Sequence, residues 1–133
     1  METAQNKIVK AALLGAGTVG SGVYQLVQER QEDFSHICGT QIQITKILVR
    51  DASKEREGIP SPLLTDNWNE IIEDDSISII IEVMGGIEPA KSYLLEAMKA
   101  GKQIVTANKD LIAEHGHELL DSAEKYGCDF KFE

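Results

Sequence analysis

The stretch that decides the fold is IVKAALLGAGTVGSGVYQLV, residues 8–27. It begins with an apolar run, Ile8–Leu14, that only Lys10 interrupts, which is typical of a short buried strand. After a glycine-rich turn, apolar residues recur at helical spacing and predict a helix from Thr18 to about Gln31. A strand, a tight turn and an amphipathic helix in this order begin an alternating α/β pattern.

The turn itself, GAGTVG, has three glycines at the spacing G-x-G-x-x-G. In this context Gly15 permits the tight turn, Gly17 lets a diphosphate approach the backbone, and Gly20 lets the helix pack closely on the strand. The N–H groups of Thr18 and Val19 lie at the positive end of the helix dipole and can bind phosphate oxygens. The turn therefore predicts a dinucleotide site, and the alternative is a glycine turn with no ligand.

The rest of the chain continues the alternation. Strands are predicted at Gln41–Val49, at 77–83 (ISIIIEV) and at 103–107 (QIVTA), and CDFKFE at 128–133 begins another. Helical patterns separate them, so we predict a Rossmann-type, doubly wound and mostly parallel sheet with helices on both faces. We take residues 1–133 as one NAD(P)-binding domain. Because the sequence stops in mid-strand, we expect it to be a fragment of a longer protein.

Composition restricts the partners. The formal net charge of −9 argues against nucleic acid and against an anionic membrane, since both require a basic surface. No apolar run approaches the roughly 20 residues of a membrane span. Cys38 and Cys128 fit no metal motif and are expected to be reduced thiols of a cytoplasmic protein. His115 and His117 are two residues apart on a helix, which points their rings away from each other, so no metal site is predicted.

The end of the second strand bears on the choice of coenzyme. An acidic residue there would bind the ribose 2′-hydroxyl of NAD, but Arg50 follows Val49, and an arginine suits the 2′-phosphate of NADP. Lys54 is close enough in sequence to assist. We predict that NADP is accepted, and acceptance of NAD stays open. The alternative is that this polar loop is only solvated.

A second loop, EVMGGIEPA at residues 82–90, follows the strand at 77–83. Gly85 and Gly86 remove side-chain bulk where the chain would pass the ribose and the nicotinamide. The alternative is an ordinary turn that uses glycine for its dihedral angles. We interpret Glu88 as a carboxylate that serves a helix N-terminus, and not as a catalytic acid.

A third loop, TANKD at residues 106–110, places a lysine where a helix begins. Asn108 is a plausible N-cap, so Lys109 falls in the first turn, where a cation costs roughly 0.3–1 kcal/mol against the helix dipole. Beside the predicted nicotinamide site, a lysine can bind a carbonyl oxygen or a carboxylate and can deliver a proton. The alternative is a solvated lysine that Asp110 or Glu114 neutralises.

Taken together, GAGTVGSGV, EVMGGIEPA and VTANKDLIA resemble the amino-terminal, nucleotide-binding half of homoserine dehydrogenases, and the resemblance runs from Ile8 to Glu133. It implies reversible reduction of L-aspartate 4-semialdehyde to L-homoserine with NADPH or NADH, on the route to threonine, methionine and isoleucine. It also implies that Lys109 takes part in catalysis or in substrate positioning. The cofactor contacts that it implies are Gly17, Thr18 and Val19 at the pyrophosphate, Arg50 at the adenosine 2′-position, and Gly85, Gly86 and Lys109 at the nicotinamide.

Members of this family continue into a substrate-binding and dimerisation domain. The resemblance therefore implies a homo-oligomer when the protein is full length, and we expect these 133 residues to bind nucleotide without appreciable turnover. Two other readings stay open. One is the same half of another amino-acid dehydrogenase, for instance one like aspartate dehydrogenase, and the other is a non-catalytic dinucleotide sensor.

Overall fold

The computed structural model describes residues 7–33 and 40–132, so the prediction for Cys38 lies outside the described residues. Strands and helices alternate along the chain as the sequence predicts, with boundaries within a few residues of those expected. The elements are β1 (Lys7–Leu14), α1 (Thr18–Glu29), β2 (Thr40–Leu48), a 3₁₀ turn (Ser61–Leu63), β3 (Leu64–Thr65), α2 (Asn69–Ile72), β4 (Ile77–Glu82), α3 (Ala90–Lys99), β5 (Gln103–Thr106), α4 (Lys109–Tyr126) and β6 (Phe130–Phe132).

The described strands form one six-stranded sheet in the order β3-β2-β1-β4-β5-β6, and every neighbouring pair is parallel. The chain therefore moves from β1 outward to β3, returns to the centre at β4, and moves outward again on the other side. This is the Rossmann-type doubly wound topology, and the direction of winding changes between β1 and β4. Clefts for ligands form at such a switch point, beyond the carboxyl ends of the strands.

Helices cover both faces of the sheet, which is why the second half of the central strand, Ala11–Leu14, is apolar and fully buried. Leu14 belongs to a cluster of buried side chains with Ile80 and Ile104 that packs against α2, α3 and α4. Leu13, which points to the opposite face, packs with Ile47 under α1. Because successive side chains of a strand point to opposite faces, β1 contributes to the hydrophobic core on each side of the sheet.

Three further features of the described residues complete the description of the fold. Helix α4 is one element with a break at His115, whose φ of −131° and ψ of 18° are not helical. Cys128 is a half-buried free thiol, and burial raises its pKa. None of the described helices is both long enough and apolar enough to span a bilayer.

The start of α1 packs against the turn that precedes it with no space for another atom. A Cβ added to Gly20 would lie 2.2 Å from the carbonyl oxygen of Gly15 and 3.3 Å from Val83 Cγ2. Gly15 has a φ of +106°, and its own added Cβ would lie 3.2 Å from the Met84 Cα. These two glycines are therefore required by sterics, and together they fix the direction in which α1 leaves the sheet.

We predict opposite effects for two Gly→Ala substitutions in the same helix. Gly20→Ala forces a methyl group into backbone and should lower the free energy of unfolding by about 1–3 kcal/mol, or more if the helix cannot shift. Gly22→Ala is the matched control, because an added Cβ there meets no described atom within 4 Å. It should stabilise the helix by up to about 1 kcal/mol. Chemical denaturation of both variants checks the pair, and equal stabilities would contradict the packing argument.

Candidate functional site

Three loops lie side by side beyond the carboxyl ends of the strands. Backbone hydrogen bonds continue the strand ladder past the strand ends, from Gly15 N to Leu48 O (2.9 Å), from Val83 N to Leu14 O (3.0 Å) and from Ala107 N to Glu82 O (3.2 Å). The loops that follow β1, β4 and β5 therefore begin at the same level. The structure thus brings together the glycine turn, the Gly85–Gly86 turn and the start of α4, as the sequence predicts.

The N-terminus of α1 is open to solvent. Thr18 and Val19 are exposed, and no described side chain caps this helix start. The N–H groups of a first turn have no acceptor within their own helix, so they point outward and carry the positive end of the dipole. This is the arrangement that binds the oxygens of a phosphate or a diphosphate.

Gly17 differs from the other two glycines of the turn. Its φ is −74°, which any residue adopts, and no described atom lies within 4 Å of a Cβ built on it. Neither backbone conformation nor packing requires a glycine at this position. An added Cβ would only occupy the space in front of the open helix N-terminus, so the residues present fit a diphosphate that approaches the backbone there.

The Gly85–Gly86 turn has a conformational need for glycine. Gly85 has a φ of +78° and Gly86 a φ of +75°, and other residues adopt this region only with strain. No described atom lies within 4 Å of a Cβ built on either residue. The glycines therefore make the turn possible and also leave its outer side unobstructed, so the conformational explanation is confirmed and the ligand-binding one stays a prediction.

Beneath this turn lies a carboxylate that the sequence analysis did not single out. Glu82, the last residue of β4, is 0% exposed, and its oxygens accept four hydrogen bonds. Oε1 accepts from Thr106 Oγ1, and Oε2 accepts from the N–H groups of Met84 (3.0 Å) and Gly85 (3.2 Å) and from Asn108 Nδ2 (3.3 Å). The only signal in the sequence was a charged residue within the apolar run ISIIIEV.

Asn108 connects this carboxylate to the start of α4. Its Oδ1 accepts from Leu111 N at 3.1 Å, which is the predicted N-cap bond. Its Nδ2 donates to Glu82 and to the carbonyl oxygen of Gly86 at 2.6 Å, and its own N–H donates to Thr106 Oγ1 at 3.1 Å. Both side-chain polar atoms of Asn108 are thus engaged within the protein, and the residue joins the loops after β4 and β5.

Lys109 is the first residue of α4, at the same edge of the sheet as the glycine turn, and its side chain is exposed. In the part of the chain that the structure describes, it takes part in none of the ion pairs. Neither Asp110 nor Glu114 forms an ion pair with it. Among the described residues, Lys109 is thus an exposed cation without an ion-pair partner, at the end of the sheet where the three loops lie.

The loop after β2 is polar and carries both signs of charge. Arg50 and Lys54 are exposed. Asp51 Oδ1 accepts from Ser53 Oγ (2.6 Å) and from Ser53 N (3.0 Å), and these hydrogen bonds lower the pKa of Asp51. The loop therefore offers a hydrogen-bonded carboxylate next to two exposed cations.

A third cation from this loop, Arg56, reaches the glycine turn itself. Its Nη1 lies 3.5 Å from the carbonyl oxygen of Ala16, while its buried Nε has no hydrogen-bond partner among the described residues. Sequence analysis missed Arg56 because it favoured the cations nearest the strand end. The folding of residues 50–60 back toward α1 cannot be read from spacing.

Two further residues make local contacts. Glu88 Oε1 accepts from Ser92 Oγ (2.8 Å) and Ser92 N (3.1 Å) in the first turn of α3, and these bonds lower the pKa of Glu88. His115 Nδ1 lies 3.5 Å from Glu118 Oε1, which also pairs with Lys91 at 3.2 Å. Both groups belong to the helix surfaces.

Comparisons with known proteins agree with this geometry. A family model described as "Homoserine dehydrogenase, NAD binding domain" matches residues 15–133. Among curated proteins, the chain is 44% identical to the homoserine dehydrogenase of Bacillus subtilis over 96% of its own length, and 45% identical to that of Corynebacterium glutamicum over 94%. These matches cover 30% and 28% of the two relatives, so the chain spans less than a third of their length.

Solved structures give the same result. The homoserine dehydrogenase of S. aureus superposes with a TM-score of 0.88 at 49% identity, covering 96% of this chain and 33% of that one. The enzyme from Thiobacillus denitrificans superposes with a TM-score of 0.86 at 35% identity, covering 96% of this chain and 30% of that one.

We predict that the hydroxyl of Thr106 contributes measurably to stability. Thr106→Val keeps the shape but leaves Glu82 Oε1 and the Asn108 N–H without a partner in a buried place, which should lower the free energy of unfolding by about 1–3 kcal/mol. Thr106→Ser keeps the hydroxyl and loses one methyl group, a change of about 0.8 kcal/mol. Urea denaturation should rank the valine variant as the less stable, and the reverse order would show that the hydroxyl is not needed.

Proposed function

The chain belongs to the family of homoserine dehydrogenase NAD-binding domains, and we propose that it serves the NAD(P)-dependent interconversion of L-homoserine and L-aspartate 4-semialdehyde. Its cofactor is NAD or NADP. The relatives named homoserine dehydrogenase match nearly the whole of this chain, but the chain matches only about 30% of their length. The reaction of the complete enzyme is therefore part of the proposal. Residues 1–133 would form the nucleotide-binding domain.

The observation that carries the proposal is the open space at Gly17. A glycine that neither conformation nor packing requires stands in front of an uncapped helix N-terminus. A diphosphate fits this place, since the N–H groups of Thr18 and Val19 supply hydrogen bonds and the dipole favours negative charge. Gly15 and Gly20 set the direction of the helix, so they would contribute to binding through geometry.

The remaining residues divide between the two ends of the dinucleotide. Arg50 and Lys54 would lie at the adenosine 2′-position, where cations favour a 2′-phosphate. Gly85 and Gly86 would pass beside the nicotinamide ribose, with Lys109 at the nicotinamide end. This division follows from the order of the strands, with the loop after β2 on one side of the glycine turn and the loops after β4 and β5 on the other.

The chemistry at Lys109 follows from its position. When bound, the nicotinamide ring supplies or accepts the hydride. The ammonium of Lys109 would bind the substrate oxygen, favour the negative charge that develops there during reduction, and supply a proton at Nζ. Because Asn108 fixes the start of α4, the backbone of Lys109 needs no rearrangement to present its side chain.

Several properties of the whole protein belong to the same proposal. The substrate would be a small molecule, and no role is proposed for nucleic acid or a membrane, in agreement with the net charge of −9. Arg56, which lies at Ala16 O, adds a cation near the turn without reversing that balance. A homo-oligomer in the cytoplasm would complete the functional enzyme, and these 133 residues alone would bind nucleotide without appreciable turnover.

Gly17→Val tests the proposal directly. The substitution should lower the free energy of unfolding by only about 1 kcal/mol, the cost of an unfavourable N-cap residue, while its side chain enters the space meant for the diphosphate. Loss of one or two charge-assisted hydrogen bonds, each about 1.5–3 kcal/mol, should weaken NADPH binding by roughly tenfold or more. Isothermal calorimetry on the 133-residue chain measures this, with Gly22→Ala as a control that keeps wild-type affinity. A Gly17→Val chain that binds NADPH normally would overturn the proposal.

Arg50→Ala tests the coenzyme assignment. Removing a cation from the 2′-position should weaken binding of NADPH by roughly tenfold and leave NADH unchanged, since only NADPH carries the 2′-phosphate. Arg30→Ala is the matched control, because Arg30 follows α1 and pairs with Asp33 at 3.5 Å. Equal losses for both coenzymes, or none, would remove Arg50 from the 2′-position.

A further inference from the structure

We propose that Glu82 is a positioning residue, which holds the Gly85–Gly86 turn and the start of α4 in one fixed arrangement around the nicotinamide end of the dinucleotide. This inference rests on the proposed function, because it requires that these two loops receive that end. It goes beyond that function in assigning a task to a side chain that touches neither cofactor nor substrate.

Burial excludes direct chemistry at Glu82. The side chain is 0% exposed, and four donors of the described residues surround its oxygens. A general acid or base must come within hydrogen-bonding distance of the reacting proton. Glu82 therefore acts through its neighbours.

An ionised carboxylate matches this set of donors. Two oxygens face four donors: the hydroxyl of Thr106, the N–H groups of Met84 and Gly85, and the amide of Asn108. An ionised carboxylate is an acceptor at both oxygens, whereas a glutamine accepts at one position only and would reverse the hydrogen bond with the Thr106 hydroxyl. Thr106 Oγ1 accepts from Asn108 N and donates its own proton to Glu82 Oε1.

The four donors come from two different loops. Met84 N and Gly85 N belong to the loop after β4, while Thr106 and Asn108 belong to the end of β5 and the turn into α4. Asn108 Nδ2 also donates to Gly86 O at 2.6 Å, which closes a second connection between the same two loops. One buried carboxylate thus sets the distance between the Gly85–Gly86 turn and the residue that precedes Lys109.

The consequence for Lys109 follows from the N-cap. Asn108 Oδ1 caps α4 through Leu111 N, so the position of Asn108 determines where the helix starts and where Lys109 leaves it. In the part of the chain that the structure describes, no ion pair holds the Lys109 side chain. The placement of its ammonium therefore depends on the backbone, and the backbone depends on Glu82.

The test compares two ligands on the same chain. NADPH occupies the whole site, and 2′-phospho-ADP lacks the nicotinamide riboside but keeps the diphosphate and the 2′-phosphate. The affinity for NADPH divided by the affinity for 2′-phospho-ADP measures what the nicotinamide end contributes to binding. In Glu82→Gln this ratio should fall by roughly tenfold, the equivalent of about one hydrogen bond, while the affinity for 2′-phospho-ADP stays near that of the wild type.

Lys102→Met is the matched control for lost stability. Lys102 is also buried and also joins β5 to the residues around the start of β4, with Nζ donating to Asp74 O (2.8 Å) and Ile77 O (2.6 Å). Lys102 precedes β5, which runs from Gln103 to Thr106, so it lies at the amino ends of the strands. The three loops lie at the carboxyl ends. Lys102→Met should lower the free energy of unfolding and leave the ratio of affinities unchanged.

Asn108→Ser provides a second route to the same measurement if Glu82→Gln does not fold. Serine is a good N-cap, so α4 keeps its start, but the Nδ2 donor to Glu82 and Gly86 is lost. The ratio should fall in this variant as well. An unchanged ratio in Asn108→Ser, or in a folded Glu82→Gln, would overturn the positioning role.

The proposed function fails separately from this inference. A wild-type chain that binds neither NADPH nor 2′-phospho-ADP would refute the nucleotide site, and the positioning role with it. A wild-type chain that binds both, with variants that keep the wild-type ratio, would refute only the role of Glu82. As an independent readout, the amide chemical shifts of Gly85, Gly86 and Lys109 in the free wild-type chain should all move in Glu82→Gln and stay in place in Lys102→Met.

Discussion

The fold depends on a contact in which two backbone segments meet without a side chain between them. An added Cβ on Gly20 would lie 2.2 Å from the carbonyl oxygen of Gly15, so α1 lies as close to its own turn as the backbone permits. That contact directs the helix axis at the switch point between β1 and β4 and exposes the first-turn N–H groups there. Both the packing of α1 over Leu13 and the open N-terminus follow from it.

The loops after β4 and β5 are held together by a buried side chain. Where the glycine turn excludes side chains, the loops after β4 and β5 are joined through one, the buried carboxylate of Glu82. Burying a charged group is costly unless hydrogen bonds compensate for the lost water, and here four donors do so. A network satisfied to this degree specifies a single arrangement, because displacing any member leaves a buried group without its partner.

The sequence predicts what depends on local pattern and misses what depends on the approach of distant segments. Strand β1, helix α1 and the N-cap at Asn108 follow from periodicity and from residue type. The doubly wound, mostly parallel class of the sheet follows from the alternation of elements, but the order of the strands does not. The role of Glu82 requires knowing that β5 lies beside β4, which brings Thr106 and Asn108 to it. Arg56 requires knowing how the loop after β2 folds back to Ala16. Neither of these contacts between distant segments can be predicted from the spacing of residues in the sequence.

The same distinction explains why a lysine stands at the start of α4. Considered alone, a cation in the first turn opposes the helix dipole, and stability offers no reason for it. Asn108 caps the start of α4, and Thr106 accepts a hydrogen bond from the Asn108 N–H. The helix start is therefore stable despite the modest electrostatic cost of Lys109. A cation that is exposed, joined to no described carboxylate and mounted on a fixed backbone remains available to a negatively charged or polarised oxygen. The helix dipole therefore accounts for the energetic disadvantage of the residue, and the lack of an ion pair with any described carboxylate accounts for its suitability for binding such an oxygen.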